Sequence, residues 1–395
     1  MEEEKLLDLN EIPEEINFIV KIKENEIDEK EYESIKESPY EYIQNFYEEL
    51  FPNMGKRVME FLSLVPISLV LPKFIDANGK ENISRINYLL LSNPGTGKTS
   101  ISNYFVNISQ NPFPFEYITD SKLSSVLHNK DKVTVITSDI ARILRDPYLS
   151  KLIENVIGDE GKLSRFTQKT KNIEEKKIDA VAYFAGTPAN LYTTISDGLI
   201  FRVTPQVVFH TEKEIEEKLK KINRDIGNEN GIKRYDKQKV IKYFYERLYE
   251  VQEGLSIKKR VLGYEIPQYF RDEIEKKLIP LFVKSFKSTE FEFNRELNQC
   301  YKYMISHAFL NVFNRKITND GKLILEDKDL RVALNLSEKE VRMKTIILIC
   351  INLISERKLK TLMDLDYYTK DYERRFKRKY PYLNYMILKT IIRAR

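Results

Sequence analysis

Gly95, Gly97, Lys98 and Thr99 fall within five positions of the stretch NYLLLSNPGTGKTS, residues 87–100. Glycines so placed let a backbone curl until its N–H groups face one point, and a helix opening near Lys98 adds the positive end of its dipole. The lysine can reach the outer phosphates of a nucleotide, and the following threonine hydroxyl can ligate Mg²⁺. The chemistry this spacing allows is phosphate holding. Its full cradle is Asn93, Pro94, Gly95, Thr96, Gly97, Lys98, Thr99 and Ser100, with ATP and Mg²⁺ as the expected ligands. Such loops open on a glycine; here Ser92 stands at that place, where it mainly sets the turn out of the preceding strand.

Moving a phosphoryl group also needs a carboxylate near the metal and a group that orients water. Asp139, just past the apolar run KVTVIT (132–137), is the candidate metal acid. Ile140 follows it, so no glutamate stands next to the acid; Glu154, Asp159 and Glu160 are downstream acids that could fold back. The expectation is a weak ATPase, with ATP holding without turnover as the alternative.

These residues need a frame. INYLLLS, PFEYIT (114–119), VTVIT (133–137), DAVAYFAGT (179–187) and LIFRV (199–203) read as short buried strands, with helical periodicity between them in SISNYFVNIS and DPYLSKLIENVIG. Strands alternating with helices argue for an α/β domain with a parallel sheet covered by helices on both faces. VMEFLSLVPISLVLP (58–72) reads as a buried helix, too short and too broken by Glu60, Pro66 and Pro72 to span a bilayer. After Phe209 the chain turns charged and helical. The expected division is an acidic lead-in (1–38), an α/β core (39–210), a charged helical connector (211–255), a helical unit (256–336) and a basic helical region (337–395).

Composition narrows the class. The 42% hydrophobic and 32% charged content is that of a globular protein, with a net charge of +5. Residues 1–50 hold 17 Asp/Glu against 5 Lys/Arg, and residues 357–395 hold 12 Lys/Arg against 4 Asp/Glu. A basic end suggests an anionic partner, although a solvated helical face has the same composition. The tail YERRFKRKYPYLNY interleaves basic and aromatic residues, which suits either phosphate contact with base stacking or an amphipathic packing helix. Cys300, Cys350 and three scattered histidines form no zinc or triad spacing, so no structural zinc is expected. The acidic N-terminus has no apolar core and does not read as a signal peptide. A cytoplasmic protein without a membrane partner is expected.

The segments ELFPNMGKRVMEFLSLV and SRINYLLLSNPGTGKTSISNYF resemble the beginning of the ATPase domain of the minichromosome maintenance (MCM) helicases, which are AAA+ proteins. EYITDSKLSS (116–125) is similar to that family's second strand and Ser-rich turn. LIENVIGDEGKLSRFTQKT (152–170) is similar to its amphipathic helix and hairpin, and AVAYFAGTP (180–188) to its sensor 1 strand. GLIFRV (198–203) is similar to the segment with an arginine finger. FNRELNQCYKYMISHAFLN (293–311) with EDKDLRVALNL (326–336) is similar to the lid.

The resemblance implies an AAA+ P-loop NTPase: a three-layer parallel sheet, a helical lid at 256–336 and a helical C-terminal region. It implies a homo-oligomeric ring or filament acting on DNA. It also implies roles: Thr187, or Asn190 three residues on, as sensor 1; Arg202 as arginine finger; Arg295 as sensor 2; and Arg165, Lys169 and Lys171 of the hairpin as contacts to a nucleic-acid backbone. Departures are the absence of room for the family's N-terminal zinc and OB-fold parts, and a loop before KVTVIT too short for its helix-2 insertion. A viral or plasmid relative fits these departures better than a cellular replicative helicase. Read on residue type alone, Arg202 is equally a strand-end cation, Arg295 an exposed helix-start arginine, and the hairpin cations a solvated loop.

Overall fold

The computed structural model describes residues 27–52, 54–75, 81–82, 84–92, 95–116, 118–158, 161–167, 172–187, 197–208, 212–225, 230–286 and 293–355. Four helices come first: α1 (Glu29–Glu37), α2 (Pro39–Leu50), α3 (Gly55–Leu62) and the single turn α4 (Val65–Ser68). The apolar run 58–72 is thus two helices rather than one. Pro66 opens the second, where its missing N–H costs nothing. A short antiparallel pair, β1 (Phe74–Ile75) and β2 (Glu81–Asn82), precedes the central sheet.

That sheet holds β3 (Tyr88–Ser92), β4 (Pro112–Pro114), β5 (Lys132–Thr137), β8 (Asp179–Gly186) and β9 (Thr204–Val208), in the spatial order β4-β5-β8-β3-β9, with every pairing parallel. Between them lie α5 (Lys98–Ile108), α6 (Asp120–His128), α7 (Ile140–Leu144), α8 (Pro147–Val156), the antiparallel hairpin β6 (Lys162–Thr167) and β7 (Asn172–Lys177), and the turn α9 (Asp197–Ile200). YLLLS of β3 is buried throughout, and so is nearly all of β8, as strands covered on both faces must be. Helices α3, α4, α5 and α7 pack on these strands. The architecture is α/β, as the alternation of strands and helices required.

Two strands differ from their expected positions. The second strand is Pro112–Pro114 rather than 114–119. The last is TPQVV, because LIFRV folds as the α9 turn, with Leu199 and Ile200 buried. Both strands contain proline and both are edge strands, where a missing ladder donor is tolerated.

The remainder is helical: α10 (Glu212–Asp225), α11 (Asn230–Glu253), α12 (Gln268–Phe286), α13 (Phe293–Leu310) and α14 (Asp327–Ser355), with a small parallel ribbon of β10 (Gly263–Glu265) and β11 (Lys322–Ile324). α14 packs on α12, α13 and β9, so sheet and C-terminal helices share one core that runs from Ile35 to Ile347. His307 belongs to this packing. Its Nδ1 lies 2.6 Å from Asp329 Oδ1, and Arg315 donates to the same carboxylate at 2.9 Å. Among the described residues, no helix is long and apolar enough to cross a membrane.

Candidate nucleotide site

The chain leaves β3 at Ser92 and re-enters regular structure at Lys98, the first residue of α5. Gly95 and Gly97 have φ of +76° and +97°, a left-handed backbone that a side chain would strain. A Cβ on Gly95 would meet nothing within 4 Å, so its requirement is conformational, and open space lies over the loop. No side chain caps the N-terminus of α5, which leaves its first N–H groups for a ligand. Asn93 and Pro94 lie outside the described residues.

Inside the loop, Ser92 is fully buried and its hydroxyl lies 2.5 Å from that of Thr96, which is itself buried. The residue that replaces the usual glycine therefore ties the loop's two ends together. Lys98 donates its ammonium to the Ser92 carbonyl at 2.8 Å. Burial pushes the lysine below its ordinary pKa, and the nearby Asp139 carboxylate partly offsets that shift. Phosphate oxygens beside the ammonium would oppose that shift by favouring its charged form.

The ends of β3, β5 and β8 open into one cleft of about 560 Å³, lined by Gly95, Gly97, Lys98, Thr99, Glu116, Ser138, Asp139, Arg142, Gly186 and Thr187. It lies at the carboxyl ends of the strands, where the order jumps past β3 to β9. Such switch points are where open parallel sheets bind ligands. Thr187 follows β8, which separates β3 from β5, and so stands between Lys98 and Asp139. Asp139 precedes α7 without capping it, and its carboxylate is exposed. The Thr99 hydroxyl and the Asp139 carboxylate in this wall are hard oxygen donors of the kind Mg²⁺ takes alongside phosphate. Ser100 is exposed on α5 and does not line the cleft.

Gathered in the cleft, then, are Gly95, Gly97, Lys98, Thr99, Asp139 and Thr187. Arg202 and Arg295 are elsewhere. Asn87, just before β3, donates through Nδ2 to the Arg202 carbonyl at 3.0 Å and accepts the Thr204 N–H at 2.7 Å on its own carbonyl. Arg202 therefore sits at the amino end of β3, about 13 Å from the loop along five strand residues. Its guanidinium lies 3.9 Å from Glu154, so Glu154 serves this amino-end pair and does not fold back toward Asp139. One turn after Arg295 on α13, Gln299 donates to the Thr204 hydroxyl at 3.2 Å. Arg295 is thus held at the same amino end.

Arg165 lies on β6 opposite Glu174 of β7. The base of this hairpin is fixed by Lys176, which donates to the His128 carbonyl at 2.8 Å and lies 2.9 Å from Asp131. Asp159, Glu160, Lys169, Lys171, Asn190 and the basic tail beyond residue 355 lie outside the described residues.

Glu116 and Arg142 of the cleft were not singled out from the sequence, and neither was Asn87 at the other end of β3. Asn87 binds Ile157, Ala182 and Arg202 at once, and a polar residue opening an otherwise apolar strand was the only signal for it. Glu116 and Arg142 join the cleft by tertiary placement. No family model and no curated protein matches the chain.

Proposed function

We propose that the chain is an AAA+ ATPase that binds ATP in the cleft at the carboxyl end of its sheet and hydrolyses it in a homo-oligomer acting on nucleic acid. The observation that carries this reading is the meeting, in one cleft, of a left-handed glycine loop, Lys98, Thr99, Asp139 and Thr187. A strand inserted between the loop strand and the acid strand supports the sensor role of Thr187, because a residue at its end can touch both the phosphate and the water. Mg²⁺ held by Thr99 and Asp139 would neutralise phosphate charge. Lys98 binds the outer phosphates, and Thr187 holds the attacking water by its hydroxyl.

Arg202, beside Glu154, and Arg295 lie at the amino end of the sheet, away from this cleft, so a part for either in turnover would be played in a neighbouring subunit's site. An arginine supplied from a neighbour stabilises charge that builds in the transition state. The expected second partner is DNA, approached by the β6–β7 hairpin.

One observation favours a second reading, an ATP-switched assembly protein without turnover. Ile140, where the water-orienting glutamate would stand, is fully buried and offers no carboxylate to a water. Steady-state phosphate release by purified protein, with and without DNA, separates the two. The ATPase reading expects release above a Lys98→Ala control and stimulation by DNA. Release no greater than that control leaves only the switch.

A further inference from the structure

We infer that Glu116 is the catalytic residue that orients and deprotonates the attacking water, in place of the glutamate missing beside Asp139. This rests on the ATPase reading above and adds a residue to it. β4 pairs with β5 in register, Pro114 opposite Ile136, and Phe115 extends the ladder by donating its N–H to the Ile136 carbonyl at 2.9 Å. The next step along both strands brings Glu116 opposite Ser138. There the Ser138 hydroxyl donates to Glu116 Oε1 at 3.5 Å, and both side chains line the nucleotide cleft. Packing of Phe113 on Phe115, with ring centroids 5.4 Å apart, fixes the strand end that carries the glutamate.

The order of strands gives the direction of attack. The loop that holds the leaving diphosphate ends β3, and the cleft then runs past Thr187 on β8 and Asp139 on β5 to Glu116 on β4. In-line displacement puts the water on the side of the γ-phosphorus away from the leaving group. That side faces β5 and β4. Adjacent strands are about 4.8 Å apart, so a glutamate on β4 reaches back over β5 by its own side-chain length. Packing gives no other reason for an acid here. Glu116 is exposed, and among the described residues its one hydrogen bond is the long contact from Ser138.

In the step itself the water oxygen bonds to the γ-phosphorus and the bond from that phosphorus to the bridging oxygen breaks. The electron pair leaves with ADP. The water proton passes to Glu116 and then to the released phosphate or to solvent, which returns the carboxylate for the next turnover.

The test compares wild type, Glu116→Gln and Lys98→Ala in ATP titration, single-turnover phosphate release and the ATP:ADP ratio of protein-bound nucleotide. Wild type is expected to bind and hydrolyse. Glu116→Gln is expected to bind ATP within about twofold of wild type and to release phosphate at least about 100-fold more slowly, so that bound nucleotide stays ATP. Undiminished release by Glu116→Gln overturns the assignment and leaves the ATPase reading intact. Wild type that binds ATP without hydrolysing it overturns the assignment and leaves the switch. Wild type that binds no ATP removes the nucleotide reading itself.

Discussion

Lys98 and Lys344 stand at opposite ends of the same sheet, and their surroundings differ in kind. Lys344 is 2% exposed, and its ammonium lies 2.7 Å from Glu296 and 2.7 Å from Glu340. Glu340 in turn accepts from Tyr303 at 2.5 Å, whose hydroxyl lies 2.7 Å from that of Thr204 at the start of β9. Burial alone would lower the Lys344 pKa, but the two carboxylates outweigh it and the pKa is raised. Lys98 is only half-buried, yet burial outweighs the pull of Asp139 and its pKa is lowered. The amino end of the sheet satisfies its cation with groups of its own. The carboxyl end holds a cation less favourably than water would, at the wall of an open cleft. Groups perturbed by burial at the wall of a cleft cluster at functional sites.

The sharpest way to break this contrast is at the amino end. Lys344→Met leaves two buried carboxylates facing each other, and is expected to cost about 3–5 kcal/mol in denaturant unfolding. A loss below about 1 kcal/mol would mean that the network does not tie α13 and α14 to the sheet. Arg202→Ala, at the same end, should leave ATP titration unchanged and lower phosphate release by the oligomer about 1000-fold. Normal release by that variant removes its role toward a neighbour.

A smaller effect concerns pH. Two carboxylates share one buried ammonium, and burial pushes Glu296 up to about 7 against the pull of Lys344. The folded state therefore holds a proton that the unfolded chain gives up near 4.5. This contribution is complete below that value and fades as pH rises to about 7. Melting temperature measured across that window should fall with pH, and Glu296→Gln should flatten the slope. At the carboxyl end, Ser92→Ala removes the hydroxyl pair with Thr96, with an expected loss of about 0.5–1.5 kcal/mol in thermal unfolding. No change would mean that the pair does not hold the loop.

The loop, its strand and its helix were legible because their signals are local: two glycines for left-handed backbone, then Lys98 and Thr99 at fixed offsets. Asp139 was legible from the end of an apolar run. What the sequence hid is set by tertiary position. Edge strands tolerate Pro112, Pro114 and Pro205, so β4 and β9 begin outside the apolar runs at 114–119 and 199–203. Leu199 and Ile200 are buried in a turn rather than a strand, since burial without a partner strand selects no particular backbone. Glu154 reads from its spacing as an acid that could approach the cleft, but Arg202 lies beside it at the amino end. Glu116 reads as the polar member of an alternating run, and only the register of β4 on β5 places it across from Ser138. Ser92 reads as a tolerated loss of glycine, and the hydroxyls at 92 and 96, four residues apart, are the local sign of its contact.

The claim that joins these regions is that the carboxyl-end cleft is a nucleotide site built around Lys98. Titration of a fluorescent ATP analogue with Mg²⁺ into wild type and Lys98→Ala tests it most directly, with melting curves of both proteins as the control for folding. Saturable binding by wild type, weakened about 100-fold or more in a variant that melts normally, is the expected result. Equal binding by the two proteins, or none by wild type, contradicts it.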